Sequence, residues 1–177
     1  MQLNPTTTRL CSIVVAVLMT ACTYLPEGVQ PVRGFDVSRY MGTWYEVARL
    51  PNRFEKGLEQ VTATYSQQDD GSVRVVNRGY DIARKEWRGV AGRARFVGEP
   101  DVAALKVSFF GPFYGGYNVI DLDPEYRYAL VVGPNRSYLW ILSREPSPPA
   151  AVIERLKRKA AELGFHTRDL VYLQHPG

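Results

Sequence analysis

The segment VTATYSQQDDGSVRVVNRGY, residues 61–80, decides the fold of this chain. In its first part valine, alanine and tyrosine alternate with threonine and serine, and such an alternation of apolar and polar residues is the period of a half-buried β-strand. Residues 69–71, Asp-Asp-Gly, are a strong hairpin signal, and residues 73–80 follow them as a second strand. The segment therefore predicts an antiparallel β-hairpin.

Further segments of the same kind surround this hairpin. Residues 42–50 form one strand before it, and five strands follow it, at residues 87–97, 105–109, 117–122, 128–132 and 138–143. Short turns separate these strands, so consecutive strands should run antiparallel. Eight strands are enough to close a barrel whose interior holds one small ligand. We therefore predict an all-β fold, an eight-stranded antiparallel up-and-down β-barrel.

One amphipathic helix is predicted after the last strand, with Ser147 as its cap, Pro148 in its first turn and Gly164 at its end. Apolar residues recur at helical spacing at Ile153, Leu156, Ala160 and Leu163. Residues 129–132 and 139–142 are apolar on both faces of their strands, so both faces must be covered. We expect this C-terminal helix to pack on the outside of the barrel, and a helix lying on a membrane surface is the alternative.

The first 21 residues are typical of a secretory signal peptide. Arg9 supplies a positive charge ahead of the uncharged run LCSIVVAVLMTA, residues 10–21. That run is too short to span a bilayer, which takes about 20 residues. It leads into Met19-Thr20-Ala21-Cys22, which resembles the lipobox of bacterial lipoproteins, where the cysteine receives lipid after cleavage. The resemblance implies lipid attachment at Cys22, and an ordinary signal peptide with an incidental cysteine is the alternative.

The next segment, residues 22–34, contains two prolines and two glycines and predicts a lipidated tether. Residues 35–177 remain as the folded domain. Thr23 follows the cysteine, in a position where aspartate would resemble the inner-membrane retention signal. We therefore expect a protein that is lipid-anchored in the cell outer membrane through Cys22, with its domain facing the periplasm.

Composition and motifs disfavour several other functions. The formal net charge is +4 and the basic residues are spread along the chain, which disfavours nucleic acid as a partner. His166 and His175 match no common metal-site spacing, and neither a G-x-S-x-G motif nor a phosphate-binding glycine loop occurs. The only cysteines are Cys11 and Cys22, so the processed domain would have no thiol. We expect no enzyme activity, no cofactor and no metal, although a carboxylate-based enzyme acting on a barrel-bound lipid stays open.

Three motifs resemble the lipocalin family. Gly42-Thr43-Trp44 matches the family's G-x-W signature on the first strand, and Arg144 matches its arginine after the last strand, which crosses the closed end of the barrel and stacks on the tryptophan. Of the middle motif, Thr-Asp-Tyr in the family, only Asp123 is present. The likeness to bacterial outer-membrane lipocalins runs from Phe35 to Pro176 and is carried by GTWYEVARLPNRFEKGLEQVTATYS, ALKVSFFGPFYGGYNVIDLD and YLWILSRE.

The resemblance implies a function as well as a calyx, the cup-shaped barrel of that family. It implies a membrane-anchored protein that stores or transports lysophospholipids or fatty acids for maintenance of the cell envelope, with a role under stress as an extension. The resemblance also implies that the protein could form a homodimer, which the sequence itself does not indicate. A structural lipoprotein whose barrel interior is filled is the alternative from another class.

The parity of the strands predicts which side chains face the interior. If Trp44 and Arg144 meet at one end, residues of the same parity on their strands point inward. The apolar parity of the fifth strand points inward as well, unless a β-bulge interrupts it. The predicted calyx residues are Trp140, Leu142, Glu46, Ala48, Leu105, Val107 and Phe109, with core packing alone as the alternative for each.

Two further predictions concern polar and aromatic residues near the opening. Residues 110–116 predict a loop at the open end, where Phe113 and Tyr114 would form a lip to the calyx, pack within the loop or contact a second copy. Glu46 is the one carboxylate that parity sends inward. It could bind a ligand headgroup or be satisfied by neighbouring side chains.

Overall fold

The computed structural model describes residues 25–176, and these form the predicted barrel. Its eight strands are β1 (Gly42–Arg49), β2 (Leu58–Gln67), β3 (Val73–Asp81), β4 (Glu86–Phe96), β5 (Ala104–Phe110), β6 (Phe113–Leu122), β7 (Tyr128–Val132) and β8 (Leu139–Ser143). Each strand pairs antiparallel with the next, and β1 pairs with both β2 and β8, which closes the sheet on itself. The predicted fold class is confirmed.

The predicted hairpin forms between β2 and β3. Tyr65 lies opposite Val75 and Gln67 lies opposite Val73, so the apolar residues of both strands share one face. Gly71 in the turn has φ of +74°, a left-handed conformation that glycine adopts without steric cost. The Asp70 carboxylate accepts a hydrogen bond from the Ser72 backbone N–H at 3.1 Å, which fixes the turn.

The barrel has two distinct ends. At the closed end, Trp44 lies beneath Arg144, and Tyr40 of the short helix α1 (Val37–Tyr40) packs against the Trp44 ring. Because β1 leaves this end and the strands alternate in direction, the turns at 50–57, 82–85, 111–112 and 133–138 all lie at the opposite end. We call this opposite end the mouth.

The closed end is fastened by Arg144. Its guanidinium carbon lies 4.0 Å from the centre of the Trp44 ring, and the ring is fully buried. The guanidinium also donates hydrogen bonds to the carbonyl oxygens of Met41 at 2.7 Å and Thr43 at 2.9 Å. The Trp44 indole N–H donates to the carbonyl oxygen of Tyr40 at 2.9 Å. One side chain therefore ties α1, β1 and the end of β8 together.

The C-terminal helix α2 (Ala150–Glu162) packs on the outer wall as predicted. Its buried residues Leu156 and Ala160 lie in a core cluster with Leu130 of β7 and Ile141 of β8. Both strands are buried on both faces, and this explains their continuous apolar sequence. Asp121 on β6 also accepts from two basic residues of the helix, at 2.9 and 2.7 Å.

The ends of α2 agree only partly with the sequence prediction. Gly164, with φ of +82°, ends the helix and donates its N–H to the Ala161 carbonyl oxygen at 3.0 Å. The predicted cap at Ser147 is wrong, because the helix begins at Ala150 and its N-cap residue is Pro149. Pro149 makes no side-chain capping hydrogen bond.

The predicted tether, residues 22–34, is packed against the barrel over its described residues. Residues 25–34 run along the barrel, and Val29 is 1% exposed in the outer core cluster. The Val32 N–H donates to the Val119 carbonyl oxygen, and the Val32 carbonyl oxygen accepts from Ala103, both at 2.9 Å. The apolar residues of this segment are too few to show a period, but each has a site on the barrel wall. The signal peptide predicted over residues 1–21 and the lipid site Cys22 lie outside the described residues.

One further strand was not predicted. The short strand β9 (Val171–Tyr172) pairs with Ala48 and Arg49 of β1, beyond the point where β2 diverges from β1. Within residues 25–176, no helix has the length and apolar character needed to cross a membrane.

We predict that Arg144→Lys lowers the free energy of unfolding by about 1–3 kcal/mol, because lysine keeps the charge but loses the planar fork that serves several carbonyl groups and the indole face. Arg158 is exposed on α2 and provides the matched control. Arg158→Lys should change the free energy by less than about 0.5 kcal/mol. Urea unfolding followed by circular dichroism measures both, and equal midpoints for the two variants would contradict the assigned role of Arg144.

Candidate functional site

The barrel encloses a cavity of about 100 Å³, counted as the volume that the centre of a water-sized sphere can occupy. By the same measure one water needs about 10–15 Å³, so the interior is far from filled. The walls are mostly apolar because alternate residues of each strand point inward. On β2, β3 and β5 the inward residues are Val61, Ala63, Tyr65, Val73, Val75, Asn77, Leu105, Val107 and Phe109.

Six of the predicted calyx residues line this cavity. They are Trp140, Leu142, Glu46, Leu105, Val107 and Phe109. Trp140 and Leu142 come from β8, and the others come from β1 and from β5 on another part of the wall. The structure thus brings residues far apart in sequence to one surface.

Ala48 does not face the cavity, and its prediction is wrong. The register between β1 and β8 shifts between Glu46 and Ala48, where β1 contains a bulge. The extra residue reverses the parity of the strand, so Arg49 takes the inward position in place of Ala48. Ala48 is fully buried in the outer cluster that α2 covers.

Phe113 and Tyr114 lie at the mouth but outside the cavity. Strand β6 begins at Phe113, which pairs with Phe110 of β5, so the loop predicted over residues 110–116 is reduced to a turn at residues 111–112. The side chains of Phe113 and Tyr114 are 78% and 46% exposed, and neither contributes to the cavity wall.

Three tyrosines form a polar group towards the closed end. The Tyr117 hydroxyl lies 2.8 Å from the hydroxyl of Tyr40 and 2.8 Å from that of Tyr65. Burial raises the pKa of all three phenols above the ordinary value of 10, so they remain neutral donors and acceptors. The alternation in the sequence groups Tyr65 with the apolar residues of its strand, but Tyr40 comes from a helical turn where strand parity gives no guidance.

A second polar group lies closer to the mouth. Arg49 donates to the Glu46 carboxylate at 2.6 Å and to the Glu55 carbonyl oxygen at 2.7 Å. The Trp140 indole N–H donates to the Glu55 carboxylate at 2.9 Å. Glu46 therefore has partners within the protein, which favours the alternative in which neighbouring side chains satisfy it. Sequence reasoning missed Glu55, since it reaches the cavity from the 50–57 turn.

The electrostatics of this group are dominated by burial. Desolvation raises the pKa of Glu46 well above its ordinary value, and the neighbouring Glu55 carboxyl raises it further by charge and hydrogen bonding. Arg49 acts in the opposite direction but does not reverse the pKa shift. The group consequently holds a proton on Glu46 to a higher pH than an exposed glutamate would.

Asn77 adds one polar atom to the middle of the wall. Its side-chain oxygen is buried, lines the cavity and has no hydrogen-bond partner among the residues described. A buried acceptor without a donor costs about 1–3 kcal/mol, which a bound water or a ligand hydroxyl would offset.

The two histidines lie outside the cavity. His175 places Nε2 2.8 Å from the Glu46 carbonyl oxygen and its ring against Tyr45, on the outer face of β1. Across residues 25–176, no three histidine, aspartate or glutamate side chains are grouped so as to hold a metal ion.

Comparisons with known proteins agree with this geometry. The model of the lipocalin-like domain family matches residues 35–175. The chain is 52% identical over 168 residues to the outer membrane lipoprotein Blc of Citrobacter freundii, covering 94% of this chain and 95% of that protein. It is 54% identical over 164 residues to the protein of the same name in Escherichia coli K12, covering 92% and 93%.

Solved structures show the same fold. Insecticyanin from the tobacco hornworm Manduca sexta superposes with a TM-score of 0.68, covering 86% of this chain and 87% of that one. The two sequences are only 20% identical, so this likeness concerns the barrel alone.

We predict that the Glu46→Gln variant gains stability relative to the parent as pH rises. Folding raises the pKa of Glu46. The contribution of protonated Glu46 to the free energy of unfolding is therefore fully present below the ordinary pKa of 4.5 and is lost as pH rises through the pKa of the folded state. Glutamine cannot ionise, so the difference in unfolding free energy should grow by up to about 1.4 kcal/mol per pH unit within that window. Urea unfolding at a series of pH values measures it. Glu59→Gln, at an exposed position of β2, is the control variant. A plot of unfolding free energy against pH for Glu46→Gln that runs parallel to that of the parent would contradict a raised pKa for Glu46.

Proposed function

This chain belongs to the lipocalin-like family, and from that premise we propose that it binds one single-chain lipid inside the barrel while anchored to the outer membrane through Cys22. The observation that carries the proposal is the unfilled, largely apolar cavity within a closed sheet. The alternative of a structural lipoprotein requires a filled interior, and the cavity argues against it.

The energetics of such a site are adequate for a lipid. Each acyl methylene removed from water contributes about 0.8 kcal/mol, so about fifteen methylenes contribute roughly 12 kcal/mol before the costs of association. Those costs remove several kcal/mol. The proposed ligands, lysophospholipids or fatty acids, would then bind with dissociation constants of about micromolar, which corresponds to roughly 8 kcal/mol.

The arrangement of polar groups favours an amphiphile over a pure hydrocarbon. An acyl chain would contact the apolar wall formed by residues such as Leu105 and Val107. A headgroup left at the mouth would meet Glu55 and Trp140, which already share a hydrogen bond. The unpartnered oxygen of Asn77 could accept from a hydroxyl of a glycerol backbone.

Binding is favoured over catalysis by the composition of the wall. Among residues 25–176, those that line the cavity include no serine, cysteine, histidine or lysine, which are the usual nucleophiles and bases of hydrolytic enzymes. The acid pair Glu46 and Glu55 is engaged by Arg49 and Trp140. An enzyme acting on a barrel-bound lipid is therefore the weaker proposal.

Membrane attachment is supported by the relatives. The match to the Citrobacter protein covers 94% of this chain, which leaves about ten residues outside it, so the match extends over Cys22. That relative is named an outer membrane lipoprotein. A role in envelope stress and a homodimer through Phe113 and Tyr114 stay predictions from the resemblance.

We predict that filling the cavity abolishes lipid binding without unfolding the barrel. Ala94 on β4 is buried and lines the cavity, so in Ala94→Phe the new ring should occupy the space of an acyl chain. The affinity for lysophospholipid should fall by about tenfold or more, or 1.4 kcal/mol. Displacement of a fluorescent fatty acid measures it, with Ala151→Phe at an exposed helix position as the control. Unchanged affinity in a folded Ala94→Phe protein would place the ligand elsewhere.

We predict that Cys22→Ser releases the protein from the membrane. Without the acylated cysteine, no other residue of the chain supplies a stable lipid anchor of several acyl chains. Fractionation of cells expressing each form measures the distribution. Cys11→Ser, within the predicted signal peptide, should leave the protein in the membrane fraction. Retention of Cys22→Ser to the same extent as the parent after a high-salt wash, which weakens electrostatic surface binding, would refute the anchor.

A further inference from the structure

Apolar side chains are concentrated on the outside of the mouth. Of the nine large hydrophobic residues that are exposed within residues 25–176, six lie on or beside the mouth turns. They are Phe54, Ile82, Trp87, Phe110, Phe113 and Tyr114, which we call the aromatic rim. The closed end carries one of the remaining three, Val97. The two ends of the barrel therefore differ, because most of the exposed aromatic side chains lie at the mouth.

Basic residues are interleaved with these aromatics. The mouth turns carry Arg53, Lys56, Arg84, Lys85 and Arg136, and Arg88 lies at the start of β4; all six are exposed. Five acids lie nearby: Asp81 accepts from Arg84 and Arg88, Glu55 turns towards the cavity, and Glu27, Glu59 and Glu86 are exposed. The surface that surrounds the mouth is therefore apolar with a modest positive excess.

Three cations lie over aromatic rings of this surface. The guanidinium carbon of Arg53 lies 4.8 Å from the centre of the Phe54 ring, and that of Arg78 lies 4.2 Å from the Trp87 ring. Lys106 lies 5.2 Å from the Tyr114 ring. Aromatic rings beside basic side chains are the composition that proteins use at the headgroup level of a bilayer.

The N-terminal segment starts at this same end. Arg136, on the mouth turn at 133–138, donates to the Glu27 carbonyl oxygen at 2.8 Å. Cys22 precedes Leu25 by three residues, and three residues span at most about 11 Å. A lipid on Cys22 would hold this end of the barrel, and not the closed end, beside the bilayer.

We infer that the mouth docks onto the surface of a lipid bilayer, with its aromatic rim at the headgroup level and its basic residues against anionic phospholipid. The inference rests on the proposed lipidation of Cys22 for its orientation, and on the exposed rim for its chemistry. Docking in this pose joins the cavity to the membrane, so a lipid passes between bilayer and barrel without crossing water. The anchor orients the mouth towards the bilayer, which favours lipid over a second copy of this chain as the occupant.

Lipid-borne quenchers test the pose in the full lipidated protein. Phe113→Cys and, as the matched control at the closed end, Val97→Cys each introduce a free thiol for a fluorescent label. Each protein is reconstituted into vesicles of zwitterionic and anionic phospholipid that carry a quencher on the acyl chain. Quenching at position 113 should exceed quenching at position 97 by about twofold or more, because only the rim reaches the headgroup level. It should decrease when the anionic lipid is omitted.

Three results would overturn the inference. The first is equal quenching at the two positions. The second is energy transfer between labels at position 113 on different molecules at high dilution in lipid, which would show that a second copy covers the rim. The third concerns protein that proves to carry no covalent lipid, a finding that would refute the anchor but not the docking. The unlipidated labelled protein is then mixed with the same vesicles, and an absence of quenching at position 113 would overturn the docking.

A second variant separates docking from ligand binding. Phe113→Ser alters the rim but no residue of the cavity wall, so its affinity for monomeric lysophospholipid should match the parent. Its rate of lipid uptake from vesicles should fall by about fivefold or more, while Val97→Ser keeps the parent rate. Parent rates for both variants would contradict docking even if cavity binding is sound.

Discussion

Closure of the sheet through β1 is the constraint on which the rest of the structure depends. Because β1 pairs with β2 along its first half and with β8 along its second half, no strand of the barrel is left without a neighbour. Arg144 seals one end by lying over Trp44, and helix α2 covers the wall where β7 and β8 are apolar on both faces. The space between the strands remains as a cavity.

Much of this fold was predictable from alternation and turns, since a strand with one buried face must repeat every two residues. The same parity placed Trp140, Leu142, Glu46 and the apolar residues of β5 correctly on the inner wall. It failed at Ala48, because a one-residue bulge leaves no mark in the pattern of a strand that is buried on both faces. Glu55 and Tyr40 were missed because they reach the cavity from a turn and from a helical turn, where no strand period applies.

The polar residues of the interior divide the cavity into regions. Neutral tyrosines gather towards the closed end, where burial raises the pKa of each phenol, and the group of Glu46, Arg49 and Glu55 lies nearer the mouth. Between them the wall is apolar except for Asn77. In the function we propose, an acyl chain would lie in the middle region and a headgroup at the mouth, where the exposed aromatic and basic residues would meet the lipid surface from which such a ligand comes.

We propose that the barrel interior is vacant because it holds a lipid. The decisive experiment is native mass spectrometry of the protein, released gently from its membrane. We expect a species heavier than the processed chain by the mass of one acyl lipid, which dissociates as a single unit on collisional activation. A chain that carries nothing but its covalent anchor, and that gains no adduct when lysophospholipid or fatty acid is added in excess, would contradict it.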